Sequence, residues 1–186
     1  MSEDQTLNLS DFAKVIDFNS LYQSYTEARK GKRWKYAVCK YEVNVLENLM
    51  FVHFMLSAHK YRLSPYNCFI VKEPKERLIM YNSFRDKIVQ HSLCDNVLEP
   101  VLSKTFIYDN YASQKGKGTH FGLDRLKYFM SRYYRQNGAD GWVLKCDIRK
   151  YFYSINHDVL KEQLRRLIKD RDVLWLLDMI IDSTEG

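Results

Sequence analysis

The stretch "VLKCDIRKYFYSINHD", residues 143–158, runs small and apolar side chains up to a carboxylate, Asp147, and follows it with two aromatics, Tyr151 and Phe152. Asn137, Gly138 and Gly141 form a turn signal upstream, so 142–148 is predicted as a buried strand with Val143, Lys145 and Asp147 alternating onto one face. Asp147 then stands at the tip of a sheet. A carboxylate there either caps the next turn or acts as a hard oxygen ligand for magnesium, with the carbonyl of Ile148 as a second oxygen. Spacing alone leaves both readings open.

Upstream of this strand the chain reads mainly as helix. A first helix is predicted over about 17–30, and a second over about 42–58, where Leu46, Leu49, Met50, Phe54 and Met55 put apolar groups on most faces and imply burial. His53 and His59 fit packing or surface roles better than ligation. Residues 66–81, YNCFIV then KEPKER then LIMY, are two strand-like runs around a polar loop, a β-hairpin carrying Lys72, Lys75 and Arg77. Three cations on one hairpin can clamp a triphosphate or simply keep exposed strand edges soluble. Val89, Leu93 and Val97 recur at helical spacing over 84–98, with Pro100 expected to end that helix.

In DNYASQKGKGTHFGLDRL (109–126), Lys115, Gly116, Lys117 and Gly118 precede a helix whose Leu123, Leu126, Met130 and Tyr133 share a face. Glycines before a helix start let backbone approach an anion, and the lysines add charge. The P-loop pattern fails here, because Tyr111 stands where its first glycine belongs and Gly118 follows Lys117 instead of Ser or Thr. A contact loop for a nucleic-acid strand survives.

Composition agrees with this without deciding it. The 186 residues carry a net charge of +6 and 15% aromatics, a pairing suited to phosphate backbones and stacked bases, although a solvated basic surface has the same composition. The basic run Arg29, Lys30, Lys32, Arg33 and Lys35 admits the same two readings. Four cysteines lie far apart without paired spacing, which argues against zinc and disulfides and fits a cytoplasmic protein. The acidic N-terminus MSEDQTLNLSDF lacks the apolar core of a secretion signal, and no apolar run approaches a membrane span.

Four segments in order carry a resemblance to one family. DIRKYFYSINHD, with Phe152 five residues after Asp147, resembles the first catalytic motif of reverse transcriptases of the group II intron and diversity-generating retroelement type. FIVKEPKERLIMYNSFRDKIVQHSL is similar to that family's fingers hairpin and following helix, and YASQKGKGTH resembles its template-side motif. The resemblance covers about 17–186. It implies an α+β fold: a mostly helical fingers subdomain with a β-hairpin over 1–140, and the first strand and helices of a polymerase palm over 141–186.

The resemblance also implies roles. Asp147 and the Ile148 carbonyl become magnesium ligands, with Asp147 catalytic. Lys72 and Arg77 hold the incoming deoxynucleoside triphosphate, and Phe152 excludes a 2′-hydroxyl at its sugar. Lys75, Lys115 and Lys117 contact the RNA template or DNA primer. Two magnesium ions need more than one carboxylate, and the family's second pair lies in a Tyr-x-Asp-Asp box, yet no Asp-Asp dipeptide occurs in the sequence. The chain is therefore expected to be a truncated piece of an RNA-directed DNA polymerase, inactive alone, with exposed palm surface that favours a homo-oligomer. An RNA-binding, maturase-like module without polymerase activity is the competing expectation, and a purely structural scaffold is the third.

Overall fold

The computed structural model describes residues 10–184, so most of the acidic N-terminal stretch and the last two residues lie outside it. The fold is α+β. Nine α-helices and one antiparallel hairpin make up its regular structure among the described residues, together with short 3-10 and π turns.

Two short helices open the chain. In α1 (Asp11–Ile16) the Ser10 side chain accepts from Ala13 N, and in α2 (Phe18–Arg29) the Asp17 side chain accepts from Ser20 N, each satisfying an amide that has no partner within its helix. The helix predicted over about 42–58 forms as α4 (Val45–Ser57), and a helix the sequence reading did not give, α3 (Tyr36–Val43), precedes it across Asn44 at φ −128° and ψ 49°. Leu49, Val52 and Leu56 of α4 are fully buried, but Leu46, Met50 and Phe54 are more than half exposed. The expectation of burial on most faces is corrected: α4 lies on the rim of the core and buries one stripe.

The hairpin forms as the sequence implies, with β1 (Asn67–Val71) and β2 (Arg77–Tyr81) paired from Asn67↔Tyr81 to Val71↔Arg77. Helix α5 (Phe84–Leu93) then supplies the central core, burying Ile88, Val89 and Leu93. A π-turn over Cys94–Leu98 buries Val97 and leads into α6 (Glu99–Leu102). Pro100 therefore does not end the helix. It sits in the first turn of α6, where its missing N–H costs least, after a widened turn that relieves the ring's clash with the preceding backbone.

Helix α7 (Thr119–Asn137) is the longest, and neither its Leu123 nor its Met130 is covered. Gly122 has a packing reason: a Cβ there would lie 2.8 Å from the Tyr111 ring. Helices α8 (His157–Leu167) and α9 (Arg171–Ile181) return to the core, where Leu164, Val173, Leu176 and Leu177 are buried with residues of α1, α2, α4 and α5. Asp170 fixes this return, accepting from Phe12 N at 2.9 Å while it caps α9.

The predicted strand over 142–148 is the main correction. These residues have no regular secondary structure, and Trp142, Val143 and Leu144 are almost wholly exposed. A strand exists only through ladder bonds to a neighbour, and among the described residues β1 and β2 pair only with each other. Apolar alternation supplied the pattern of a strand but no partner.

Candidate nucleic-acid interface

The hairpin tip gathers three of the expected site residues. Register places Arg77 opposite Val71, so Lys72 and Lys75 lie in the connecting loop, and all three cations are exposed. Among the described residues none of the three forms an ion pair. Other basic residues do: Arg29 meets Glu42 at 3.0 Å and Arg165 meets Asp178 at 2.7 Å. Glu73 and Glu76 share the tip, so it carries three cations beside two carboxylates that form no ion pair with them.

The feet of the hairpin are fixed by Asp86, which is fully buried on α5. Its carboxylate accepts from Ser64 N at 2.9 Å and Ser83 Oγ at 2.8 Å, one partner on each side of the hairpin, and from Tyr61 OH at 2.5 Å. Arg85 neutralises it at 3.3 Å and also donates to the Arg62 carbonyl and Ser64 Oγ. Burial and the Asp86 partner push the Tyr61 phenol well above its ordinary range, which keeps it a donor. Sequence reasoning passed over Asp86, although Ser83-x-x-Asp86 carries a capping signature and Asp86 N donates back to Ser83 Oγ at 3.2 Å.

The glycine-containing loop is braced from within. Lys117 donates to the carbonyls of Tyr108 at 2.6 Å and Asn110 at 3.1 Å and sits 4.9 Å from the Tyr108 ring centre. Lys115 pairs with Glu99 at 2.6 Å, and that hydrogen bond raises its pKa. Arg125 of α7 pairs with Asp109 and lies within 5.0 Å of the Tyr108, Tyr128 and Phe129 ring centres. Lys117 thus braces the loop itself and Lys115 ties it to α6, while the backbone at Gly116 and Gly118 opens onto empty space.

Asp147 and Ile148 are exposed on the irregular segment after α7. Lys150 adopts the left-handed conformation at φ 51° and starts a 3-10 turn over Tyr151–Tyr153. The turn directs the Phe152 ring outward, 81% exposed, with the Tyr151 ring edge-on at 5.4 Å. Phe152 is therefore not a core residue. Among the described residues no group of three or more His, Cys, Asp or Glu side chains converges to hold a metal ion, and no hydrogen bond or ion pair joins Asp147 to the hairpin cations.

A groove of about 860 Å³ opens between the start of α3 and the base of the hairpin. Lys32, Lys35, Lys40, Arg85 and Lys87 line it with Tyr36, Tyr41 and Tyr81, and no carboxylate does. Burial, reinforced by repulsion from Lys32 and Lys35, lowers the Lys87 pKa. Tyr41 keeps its phenol oxygen buried without a partner, and burial pushes that phenol up. Lys40, Arg85 and Lys87 were not legible as a cluster, because the groove gathers three segments distant in sequence.

Comparison with known proteins yields two weak similarities. No protein-family model matches the chain. It is 27% identical over 124 residues to protein YkfC of Escherichia coli (strain K12), covering 66% of this chain and 32% of that protein. It is 22% identical over 135 residues to the putative COX1/OXI3 intron 1 protein of Saccharomyces cerevisiae (strain ATCC 204508 / S288c), covering 70% of this chain and 15% of that protein. The chain thus spans no more than about a third of the length of either relative. No described helix is long and apolar enough to cross a membrane.

Proposed function

We propose that residues 1–140 form the fingers, and 141–186 the first part of the palm, of an RNA-directed DNA polymerase of the reverse-transcriptase type. The observation that carries this reading is the hairpin, which presents Lys72, Lys75 and Arg77 without carboxylate partners on a helical body, in the motif order of that family. Similarity to a putative COX1/OXI3 intron 1 protein supports placing the chain among proteins linked to introns.

In this reading Lys72 and Arg77 hold the triphosphate of the incoming deoxynucleotide through charge-assisted hydrogen bonds. Lys75 contacts the strand, and Lys115 and Lys117 act by shaping the loop they brace. Asp147 and the Ile148 carbonyl supply part of a magnesium site whose other carboxylates come from chain beyond these residues. The isolation of Asp147 among the described residues favours a second reading, an RNA-binding, maturase-like module without synthesis.

Both readings require salt-sensitive RNA binding. For four phosphates neutralised on a single strand, affinity is expected to fall about 50-fold between about 50 and about 200 mM salt, as counterions are no longer released into dilute solution. Fluorescence anisotropy with a labelled RNA measures this directly. Affinity that stays constant across that range contradicts nucleic-acid binding, and with it both readings.

A further inference from the structure

The strands of the hairpin do little to orient it. No residue of β1 or β2 is buried, and among the described residues neither strand pairs with anything but the other. Five residues at 3.4 Å each make a strand of about 17 Å, so the hairpin is a lever aimed from its feet.

Both feet converge on one carboxylate. Asp86 Oδ2 accepts from Ser64 N, just before β1, at 2.9 Å, and from Ser83 Oγ, just after β2, at 2.8 Å. Its Oδ1 accepts from the Tyr61 hydroxyl at 2.5 Å, and Arg85 reaches from Asp86 to the Arg62 carbonyl at 2.8 Å. The pivot is rigid because Asp86 lies in the first turn of α5, whose Ile88 and Val89 are fully buried. One other contact ties a foot to the body: the Tyr66 hydroxyl lies 2.9 Å from Ser183 Oγ, past the end of α9. That is a single neutral hydrogen bond, about half as strong as one to a charged group, and Asp86 takes three side-chain and backbone donors besides Arg85. The hold therefore belongs to Asp86.

Leverage makes the hold matter at the tip. A turn of about 10° at the feet carries the end of a strand of about 17 Å through about 3 Å, and a misplacement of about 1 Å in a binding group costs up to about a hundredfold. We propose that Asp86 is a positioning residue for nucleotide binding: its carboxylate fixes the angle of the hairpin to α5, and with it the place of Lys72 and Arg77. The link to the nucleotide rests on the polymerase reading above, whereas the hold on the hairpin does not.

The test pairs a distance with a kinetic measurement. In the 186-residue protein with Cys68, Cys94 and Cys146 replaced by Ser, nitroxides on Cys39 of α3 and on the tip through Glu76→Cys report the spread of hairpin positions by electron-spin resonance. After a melting curve confirms folding, Asp86→Ala is expected to widen the distance distribution by about twofold or more, and Asp86→Asn, which keeps an acceptor for both feet, to restore part of the difference. Ser83→Ala serves if Asp86→Ala fails to fold. Tyr66→Phe is expected to leave the distribution nearly unchanged. In the complete protein, Asp86→Ala is expected to raise KM for deoxynucleotide by roughly tenfold or more while kcat changes less than about threefold, and to add no such rise in a Lys72→Ala/Arg77→Ala background. A purely structural role lowers the amount of active protein, and so kcat, in both backgrounds alike. A distribution that stays narrow in the folded Asp86 or Ser83 variant, or widens as much in Tyr66→Phe, overturns the hold. A widened distribution with KM unchanged overturns the link to the nucleotide. A complete protein that never extends a primer sinks the polymerase reading and that link with it, while the distances still decide what holds the hairpin.

Discussion

Replacing Asp86 with Ala is expected to destabilise the protein by about 3–5 kcal/mol, because it strips a buried carboxylate from several donors at once. Tyr61 OH, Ser64 N and Ser83 Oγ all lose their acceptor, and Arg85 loses its counter-charge. Tyr61 OH is buried and has no other acceptor, while Ser64 and Ser83 are half-buried at the edge of the groove. For a domain of this size that loss lowers the melting temperature by roughly 10 °C. Asp86→Asn, which keeps the shape but brings an amide donor against donors, should fall between Ala and wild type. A thermal or urea melt of the two variants checks this, and a change below about 1 kcal/mol for Asp86→Ala would show that the feet of the hairpin are held by something else.

The second large effect concerns Phe152 in the complete polymerase. Truncating this ring to Val should lower the ratio of kcat/KM for deoxynucleotide over ribonucleotide by roughly 10–200-fold, because discrimination by a steric wall rests on a few methylene-sized contacts. Within residues 1–186 the ring is 81% exposed, so Phe152→Val in the 186-residue protein should melt within about 0.5 kcal/mol of the unchanged sequence. Tyr151 is the neighbouring candidate, with its ring 5.4 Å away. An unchanged ratio in folded Phe152→Val moves the sugar-facing role to Tyr151.

Local patterns were legible and non-local ones were not. The hairpin followed from two short apolar runs around a polar loop, and α5 from the spacing of Val89, Leu93 and Val97, because both signals lie within one stretch of chain. Helix α4 was legible from its run of apolar residues, whereas α3, which buries only Val38, offered no apolar stripe to read. Residues 142–148 read as a strand because their alternation is real, while pairing depends on a neighbour that the pattern does not specify. Exposure on α4 was missed for a related reason: Leu46, Met50 and Phe54 are apolar, and only the packing of other helices decides which stripe is buried. The function came from motif order, since Asp147, Phe152 and the hairpin cations taken singly each had an ordinary structural explanation.

The most direct test of the polymerase reading is RNA-templated primer extension by the complete protein with magnesium and deoxynucleotides, compared with its Asp147→Ala variant. Asp147 is exposed within residues 1–186, so in the 186-residue protein Asp147→Ala should fold and bind RNA as the unchanged sequence does. The account predicts extension by the complete protein, its loss in Asp147→Ala, and none by residues 1–186 alone. Undiminished extension in Asp147→Ala, or a complete protein that binds RNA and never extends a primer, contradicts it.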